Sequence, residues 1–232
     1  MYRIVTFFNR LADIFASKGR VPRRIVGIYK RYCRILPTGF WVFDLTQSDA
    51  PWRRFREQQD NTVRWELATI EHCQLWGESG ADGYTGWRYD LFVRLIEEKH
   101  IVLVGYTNNS DDGDSQVPDC YGTLALGRKL MTRWCSFYME PEEGTIRTIY
   151  TREQSRGRGL ATRIYAKLCC LAEERGLTKV YVDIDLPNIA SYRAAEKAGA
   201  VRIWDTVIYK LFFFKRVYLF AWGSLKDRFR QP

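Results

Sequence analysis

Only two histidines, His72 and His100, occur in the 232 residues, and neither stands beside a cysteine or carboxylate at ligand spacing. A histidine-centred metal site is therefore not expected, and no residue is assigned to metal. The six cysteines, Cys33, Cys73, Cys120, Cys135, Cys169 and Cys170, include no CxxC pair. Neither structural zinc nor a disulfide framework is expected, and the adjacent pair falls in a helical pattern where buried thiols are ordinary packing residues. No apolar run approaches the roughly 18 to 20 residues of a membrane-spanning helix, and the first residues lack the charged, apolar and small-residue zones of a cleaved signal. The expected location is cytoplasmic, with a peripheral seat on the inner face of the membrane as an option. No internal repeat is visible.

The chain does have aromatic and basic residues in quantity. It is 46% hydrophobic and 15% aromatic, enough for one substantial core with additions. The net charge of +9 is concentrated at the ends: residues 1–34 hold nine Lys and Arg against Asp13, and residues 201–232 hold seven against Asp205 and Asp227. Basic ends around a mildly acidic body suggest an anionic surface, either lipid or nucleic acid, and charge alone does not choose between them. Ile4, Phe7, Phe8, Leu11, Ile14 and Phe15 fall on one face of a helix, which predicts an amphipathic N-terminal helix. Its apolar stripe suits a bilayer interface, the protein's own core, or a second subunit in a homodimer. The domain reading is an extension over 1–36, a folded domain over 37–222 and a basic tail over 223–232.

Along the chain, residues 39–45 (GFWVFDL) read as a first strand after a basic connector over 18–34. Residues 53–76 and 87–98 read as two helices around a glycine-rich turn. Strands follow at 100–106 and 121–126, separated by the acidic, turn-rich NNSDDGDSQVPD. A strand at 145–151 leads into a glycine turn and a helix over 160–175 that Gly176 ends. A strand at 179–184, a short helix at 189–198 closed by Gly199, and a strand-like aromatic stretch over 201–219 complete the order.

The turn Arg156-Gly157-Arg158-Gly159-Leu160-Ala161, running on to Thr162, carries the chemistry. Amides at the start of a helix are unpaired and lie at the positive end of its dipole, so a glycine turn feeding one can wrap a pyrophosphate. Arg156 and Arg158 can add charge-assisted contacts to phosphate oxygens. The three-glycine dinucleotide fingerprint and its acidic residue are missing, which disfavours a nicotinamide enzyme.

The segment TIYTREQSRGRGLATRIYAKL closely resembles the coenzyme A signature of the GNAT (GCN5-related N-acetyltransferase) family, Arg/Gln-x-x-Gly-x-Gly/Ala, here Arg156, Gly159 and Ala161. The strand VYVDI and then NIASYRAAEKAGA, similar to the family's Asn-x-x-Ser/Ala...Lys-x-Gly ending, extend the likeness over about residues 100–210. The resemblance implies an α/β (α+β) fold with a mixed, twisted sheet of about six to seven strands and about four helices. It further implies acetyl-CoA as acyl donor, a splay between strands 145–151 and 179–184, and an oxyanion donated to by a strand amide near Ile149, Tyr150 or Thr151. Asn188 is read both as a cofactor ligand and as a helix N-cap.

Many family members carry a tyrosine acid seven residues after that asparagine, and the matching position here is Ala195. Tyr192 and Ser191 are the substitute candidates. For the base that takes the amine's proton, Glu142, Glu143 and Asp183 are the carboxylates to test, each equally readable as a solvated or structural charge. The pattern of basic leader, WVFDL-like strand and GNAT core also resembles transferases associated with bacterial cell-surface polysaccharide. The acceptor would then be a small-molecule or sugar-linked amine, with Trp41, Trp87 and Trp134 available for stacking. An N-acyltransferase is the first reading. A coenzyme A-binding module without turnover, docked on an anionic membrane or nucleic acid, is the second, although no dedicated RNA module is present.

Overall fold

The computed structural model describes residues 33–57, 62–78, 84, 86–107, 117–126, 129–131, 136–211, 214–220 and 229–230. The expected N-terminal helix and most of the basic tail lie outside the described residues.

The strands are β1 (Cys33–Asp44), β2 (Val63–Leu67), β3 (Ile101–Thr107), β4 (Cys120–Leu126), β5 (Lys129–Met131), β6 (Ser136–Tyr138), β7 (Glu143–Thr151), β8 (Lys179–Asp185), β9 (Val201–Leu211), β10 (Phe214–Phe220) and β11 (Phe229–Arg230). The helices are α1 (Arg54–Glu57), α2 (Ile70–Glu78), α3 (Trp87–Glu97), α4 (Leu160–Glu174) and α5 (Ile189–Lys197). Eight strands form one mixed sheet in the order β10-β9-β1-β8-β7-β4-β3-β2, and β11-β6-β5 form a small second sheet. Every neighbouring pair of the large sheet is antiparallel except β7 and β8.

Period-two alternation sends side chains to two cores. Trp41 and Phe43 of β1, Ile101 and Leu103 of β3, and Val180 and Val182 of β8 face α1, α4 and α5. The opposite face carries Val102, Val104 and Tyr121 against Trp76, Tyr84, Phe92 and Leu95 from α2, α3 and the turn between them. α4 buries Leu160, Ile164, Leu168 and Ala172, a stripe at helical spacing that seats it on the sheet.

Two expectations need correction. Residues 53–76 are not one helix: a 3-10 turn at Pro51–Arg53, α1, β2 and α2 occupy them. The run Val63-Arg-Trp-Glu-Leu67 alternates, and its pairing with β3 from Val63↔Thr107 to Leu67↔Leu103 overrides the helix-like apolar spacing around it. α2 starts afresh at Thr69, whose hydroxyl accepts from the His72 N–H (3.4 Å) while His72 Nδ1 accepts from the Thr69 N–H (3.2 Å). β1 likewise begins at Cys33 rather than residue 39, because its backbone already pairs with β9 at Cys33↔Leu211. β2, together with the division of 201–219 into β9 and β10, brings the large sheet to eight strands and leaves it the mixed sheet expected.

The four described free cysteines, Cys73, Cys120, Cys169 and Cys170, are buried. Desolvation raises their thiol pKa values, to about 11 for Cys73 and about 12 for Cys120, so they remain neutral packing groups. No helix among the described residues is long and apolar enough to cross a membrane.

The close approach of α4 to the sheet depends on Gly122 of β4. A Cβ there would collide with Ile164 Cγ2 and lie 2.9 Å from Leu168 Cδ1. Gly122→Ala is expected to lower the unfolding free energy by about 1–3 kcal/mol, measured by urea denaturation.

Candidate functional site

β7 and β8 pair in register only from Glu143↔Lys179 to Ile146↔Val182, although β7 runs on to Thr151 and β8 to Asp185. The other edge of β7 stays on β4 to its end, at Cys120↔Thr151. Its register shifts where Thr123 faces Thr148 and Leu124 faces Ile146, leaving Arg147 as the extra residue of a bulge. A bulge bends its strand and increases the local twist, which carries β7 away from β8 just past their last pair. The pairing with β8 thus stops at Ile146, four residues before the strand's penultimate residue.

A groove of about 570 Å³ fills the opening. One wall is Ile149, Tyr150 and Thr151; the far wall is the first turns of α5, with Asn188, Ala190, Ser191 and Ala194. At the outer end stand Ser155, Arg156, Gly157, Gly159, Leu160, Ala161 and Thr162. Arg158 is exposed and is not among the lining residues.

The outer end is built as an anion seat. Gly157 (φ 80°) and Gly159 (φ 75°) lie in the left-handed region, and Gly159 is the N-cap of α4 without any side-chain cap bond. Within the helix the first capping-turn bond is Arg163 N–H to the Gly159 carbonyl (3.2 Å), so the amides of Leu160, Ala161 and Thr162 have no intrahelical acceptor. Nothing lies within 4 Å of a Cβ built on either glycine, so the space beside the turn is open. The Thr151 hydroxyl, also on the groove, is buried without a hydrogen-bond partner. Unpaired amides, a helix N-terminus and an orphaned hydroxyl fit a phosphate-bearing ligand. Arg156 lines the same end, its Nε donating to the Thr151 carbonyl at 3.3 Å.

Asp119, which the sequence reading passed over, sets the position of this turn. Its carboxylate accepts from the Thr107 amide (2.8 Å), the Thr107 hydroxyl (2.7 Å) and the Ser155 hydroxyl (2.5 Å). Its carbonyl accepts from Arg152 N–H at 2.8 Å. Burial opposes the charge, yet the Ser155 and Thr107 hydrogen bonds and the nearby Arg152 cation outweigh it and hold the carboxyl below its ordinary pKa. Position alone gave no signal of this, because Asp119 and Ser155 are 36 residues apart.

The candidate catalytic residues separate. Glu143 is 3% exposed at the closed end of the β7–β8 ladder, accepting from Tyr181 O–H (2.9 Å) and Glu140 N–H (2.9 Å). It is a structural carboxylate, and Glu142 is an exposed turn residue whose carbonyl accepts from Thr178 N–H. Asp183 is the first residue of β8 beyond the last pair with β7 and, like Tyr192, is not among the lining residues of the groove. Burial chiefly raises its pKa, Asp185 adds to the rise, and its own backbone amide and Arg147 oppose it, leaving a value of about 6. Tyr192 stacks on the buried Trp41 (6.0 Å, 7°) and is not on the groove. Trp41 is fully enclosed, with Nε1 donating to Glu196 at 3.2 Å, so it is core rather than a stacking platform. The side chains of Trp87 and Trp134 lie outside the described residues. Ser191 lines the groove, and its amide donates to Asn188 Oδ1 (3.2 Å), making Asn188 an N-cap that also borders the groove. Ser191 Oγ lies 3.3 Å from the hydroxyl of Tyr165, a residue of α4. Ala195 is buried. Among the described residues no group of three or more His, Cys, Asp or Glu is placed to hold a metal ion.

The sequence matches the family described as "Acetyltransferase (GNAT) family" over residues 51–200. No curated protein matches it significantly. Among solved structures, an acetyltransferase from the GNAT family of Colwellia psychrerythraea is similar at a TM-score of 0.53 and 14% identity, covering 78% of this chain. A GCN5-related N-acetyltransferase from Sphaerobacter thermophilus is similar at 0.50 and 15%, covering 87%. A fungal GCN5-related glucosamine N-acetyltransferase region of a multi-domain β-N-acetylglucosaminidase is similar at 0.52 and 14%, covering 80% of this chain and 22% of that one. This chain spans 58% of each of the two bacterial proteins.

The depressed pKa of Asp119 makes a testable contribution to stability. It is fully present above the unfolded carboxyl pKa of about 3.9 and is lost as pH falls through the lower folded value. Asp119→Asn is expected to melt at lower temperature than the parent by a constant margin above about pH 5, and the margin should shrink below about pH 4, read by thermal denaturation.

Proposed function

Because the chain belongs to the GNAT acetyltransferase family, we propose that it is an acyl-CoA-dependent N-acyltransferase that moves acetyl from acetyl-CoA to a primary amine by direct attack on the thioester. The acceptor class is an amino sugar, a peptide or a small metabolite amine. One observation carries this reading: the groove where β7 leaves β8 ends on the uncapped N-terminus of α4 behind Gly157 and Gly159.

Acetyl-CoA, when bound, supplies an activated acyl group on a thiol leaving group. The amides of residues 160–162 and the Arg156 guanidinium hold the pyrophosphate. Beyond the end of the β7–β8 ladder, the backbone of residues 149–151 lines the groove and supplies hydrogen bonds along it, including one to the oxyanion formed on attack. The new N–C bond replaces the C–S bond, and the nitrogen must shed a proton. Asp183 stands where the strands part, and a carboxyl that titrates near 6 is ionised at neutral pH yet basic enough to take that proton. We therefore assign it as the base, ahead of Glu143, whose two oxygens are already engaged inside the fold. A binding module that held the ligand without turnover would release no free thiol, which separates the two readings.

Acetyl-CoA titrated calorimetrically should bind the parent protein and not Gly159→Glu, whose added side chain is strained at a positive φ and places a carboxylate on the anion seat; absence of binding by the parent would overturn the proposal. Free-thiol release against amino sugars, amines and peptides then names the acceptor. Asp183→Asn should lower kcat by about a hundredfold and abolish the rise in rate through about pH 6 that the parent should show as its carboxyl ionises. A raised carboxyl pKa favours the fold below the unfolded value and costs stability as pH climbs through the folded one. The same variant is therefore expected to melt higher than the parent at pH 7.

A further inference from the structure

β2 is the outermost strand of the large sheet, and among the described residues no strand pairs with its far edge. Its register with β3 fixes which backbone groups face outward. The pairs run from Val63↔Thr107 to Leu67↔Leu103, and in the next step Ala68 N–H donates to the Val102 carbonyl at 2.8 Å. Hydrogen-bonded pairs alternate along an antiparallel ladder, so Glu66 and Arg64, two and four residues before Ala68, also bond inward to β3. The amides and carbonyls of Val63, Trp65 and Leu67 therefore point out along the open edge, where they form a template for another strand.

We propose that this edge pairs with the same edge of a second copy of the chain, antiparallel and centred on Trp65, so that one sheet runs through a two-fold dimer. In that register Val63 faces Leu67 of the second copy, Trp65 faces Trp65, and Arg64 faces Glu66. Val63, Trp65 and Leu67 already present their peptide groups outward, so each of their pairs closes both of its hydrogen bonds. Arg64 and Glu66 then form the close pairs of the ladder, where opposite side chains approach most nearly. A five-residue ladder lies at the small end of specific interfaces, so the association is reversible and follows protein concentration. Nothing in it depends on acyl transfer.

Charge selects this register over its neighbours. Sliding one strand by two residues still sets outward groups against outward groups, but it brings Arg64 opposite Arg64 in one direction and Glu66 opposite Glu66 in the other. Like charges directly opposite are destabilising. Both side chains are held on one face of the edge: Arg64 lies over the Tyr106 ring of β3 (4.6 Å) and its Nε meets Glu66 at 2.9 Å. On the other face Leu67 is 49% exposed, one of four large apolar side chains left so among the described residues, and in the dimer it lies beside Val63 of the second copy. Charges commonly keep an edge strand single. Here one of each sign stands symmetrically about Trp65, a pattern that complements itself and so suits a second copy better than a strand of arbitrary sequence.

Sedimentation velocity of the full-length chain over a concentration series tests this, for the parent, Arg64→Glu, Glu66→Arg and the double exchange that carries both. Circular dichroism checks that each is folded. The parent is expected to dimerise. Each single variant sets like charges opposite at two pairs and should weaken the dimer by about tenfold. The double exchange should recover it, and an equal mixture of the two single variants should form the mixed dimer. In the parent, residue-resolved amide exchange should slow at Val63, Trp65 and Leu67 as concentration rises, with Arg64 and Glu66 little changed. A parent that stays monomeric at every concentration overturns the proposal and leaves the edge to a strand of another protein. A dimer indifferent to the single variants overturns this edge as its seat. Single variants that dissociate, with no recovery in either the double exchange or the mixture, overturn the register.

Discussion

A parallel ladder that stops after four pairs leaves two facing strand edges that no longer bond to each other. In a protein interior each peptide group on such an edge costs about 1–3 kcal/mol unless something else satisfies it. β7 keeps its other edge on β4, so it cannot simply fray; the Arg147 bulge turns it while the pairing with β4 continues to Thr151. The result is a gap whose wall is a row of backbone hydrogen-bonding groups. The groove and the position of the proposed base both follow from where that ladder ends, since Asp183 is the next residue on β8 after the last pair.

The two sides of the gap are fixed by interactions that come from elsewhere in the sheet. Asp119, at the start of β4, ties the end of β3 through Thr107 to the glycine turn through Ser155. Trp41, on β1, clamps α5 by stacking with Tyr192 and donating to Glu196. The glycine turn and the first turns of α5 are therefore held by different strands, each through a polar contact that is at least partly buried. Such contacts are costly to lose because the partner is left desolvated.

The local features were legible in the sequence and the distant ones were not. Gly157 and Gly159 could be recognised because a positive φ before a helix is a property of a few consecutive residues, and α4 and α5 because their apolar stripes repeat within a turn. The splay could be expected only from the resemblance of the surrounding motif. β2 was hidden because Val63 to Leu67 sits between helical segments and takes its conformation from the edge of β3. The bond from Tyr165 to Ser191 spans 26 residues and that from Trp41 to Glu196 spans 155, and periodicity carries no information at such range. The same limit made Tyr192 look available when the core had already claimed it.

β1 comes early in the chain yet lies inside the sheet, with β8 on one edge and β9 on the other. Its partners, such as Val180 for Phe43 and Leu211 for Cys33, are well over a hundred residues downstream. During synthesis this aromatic strand leaves the ribosome with both edges bare and waits for well over a hundred further residues before either is covered. Long-range pairing of that kind folds slowly, and bare strand edges are templates for association with other chains. The interval between the emergence of β1 and the arrival of β9 is when bare strand edges are most exposed to pairing with another chain.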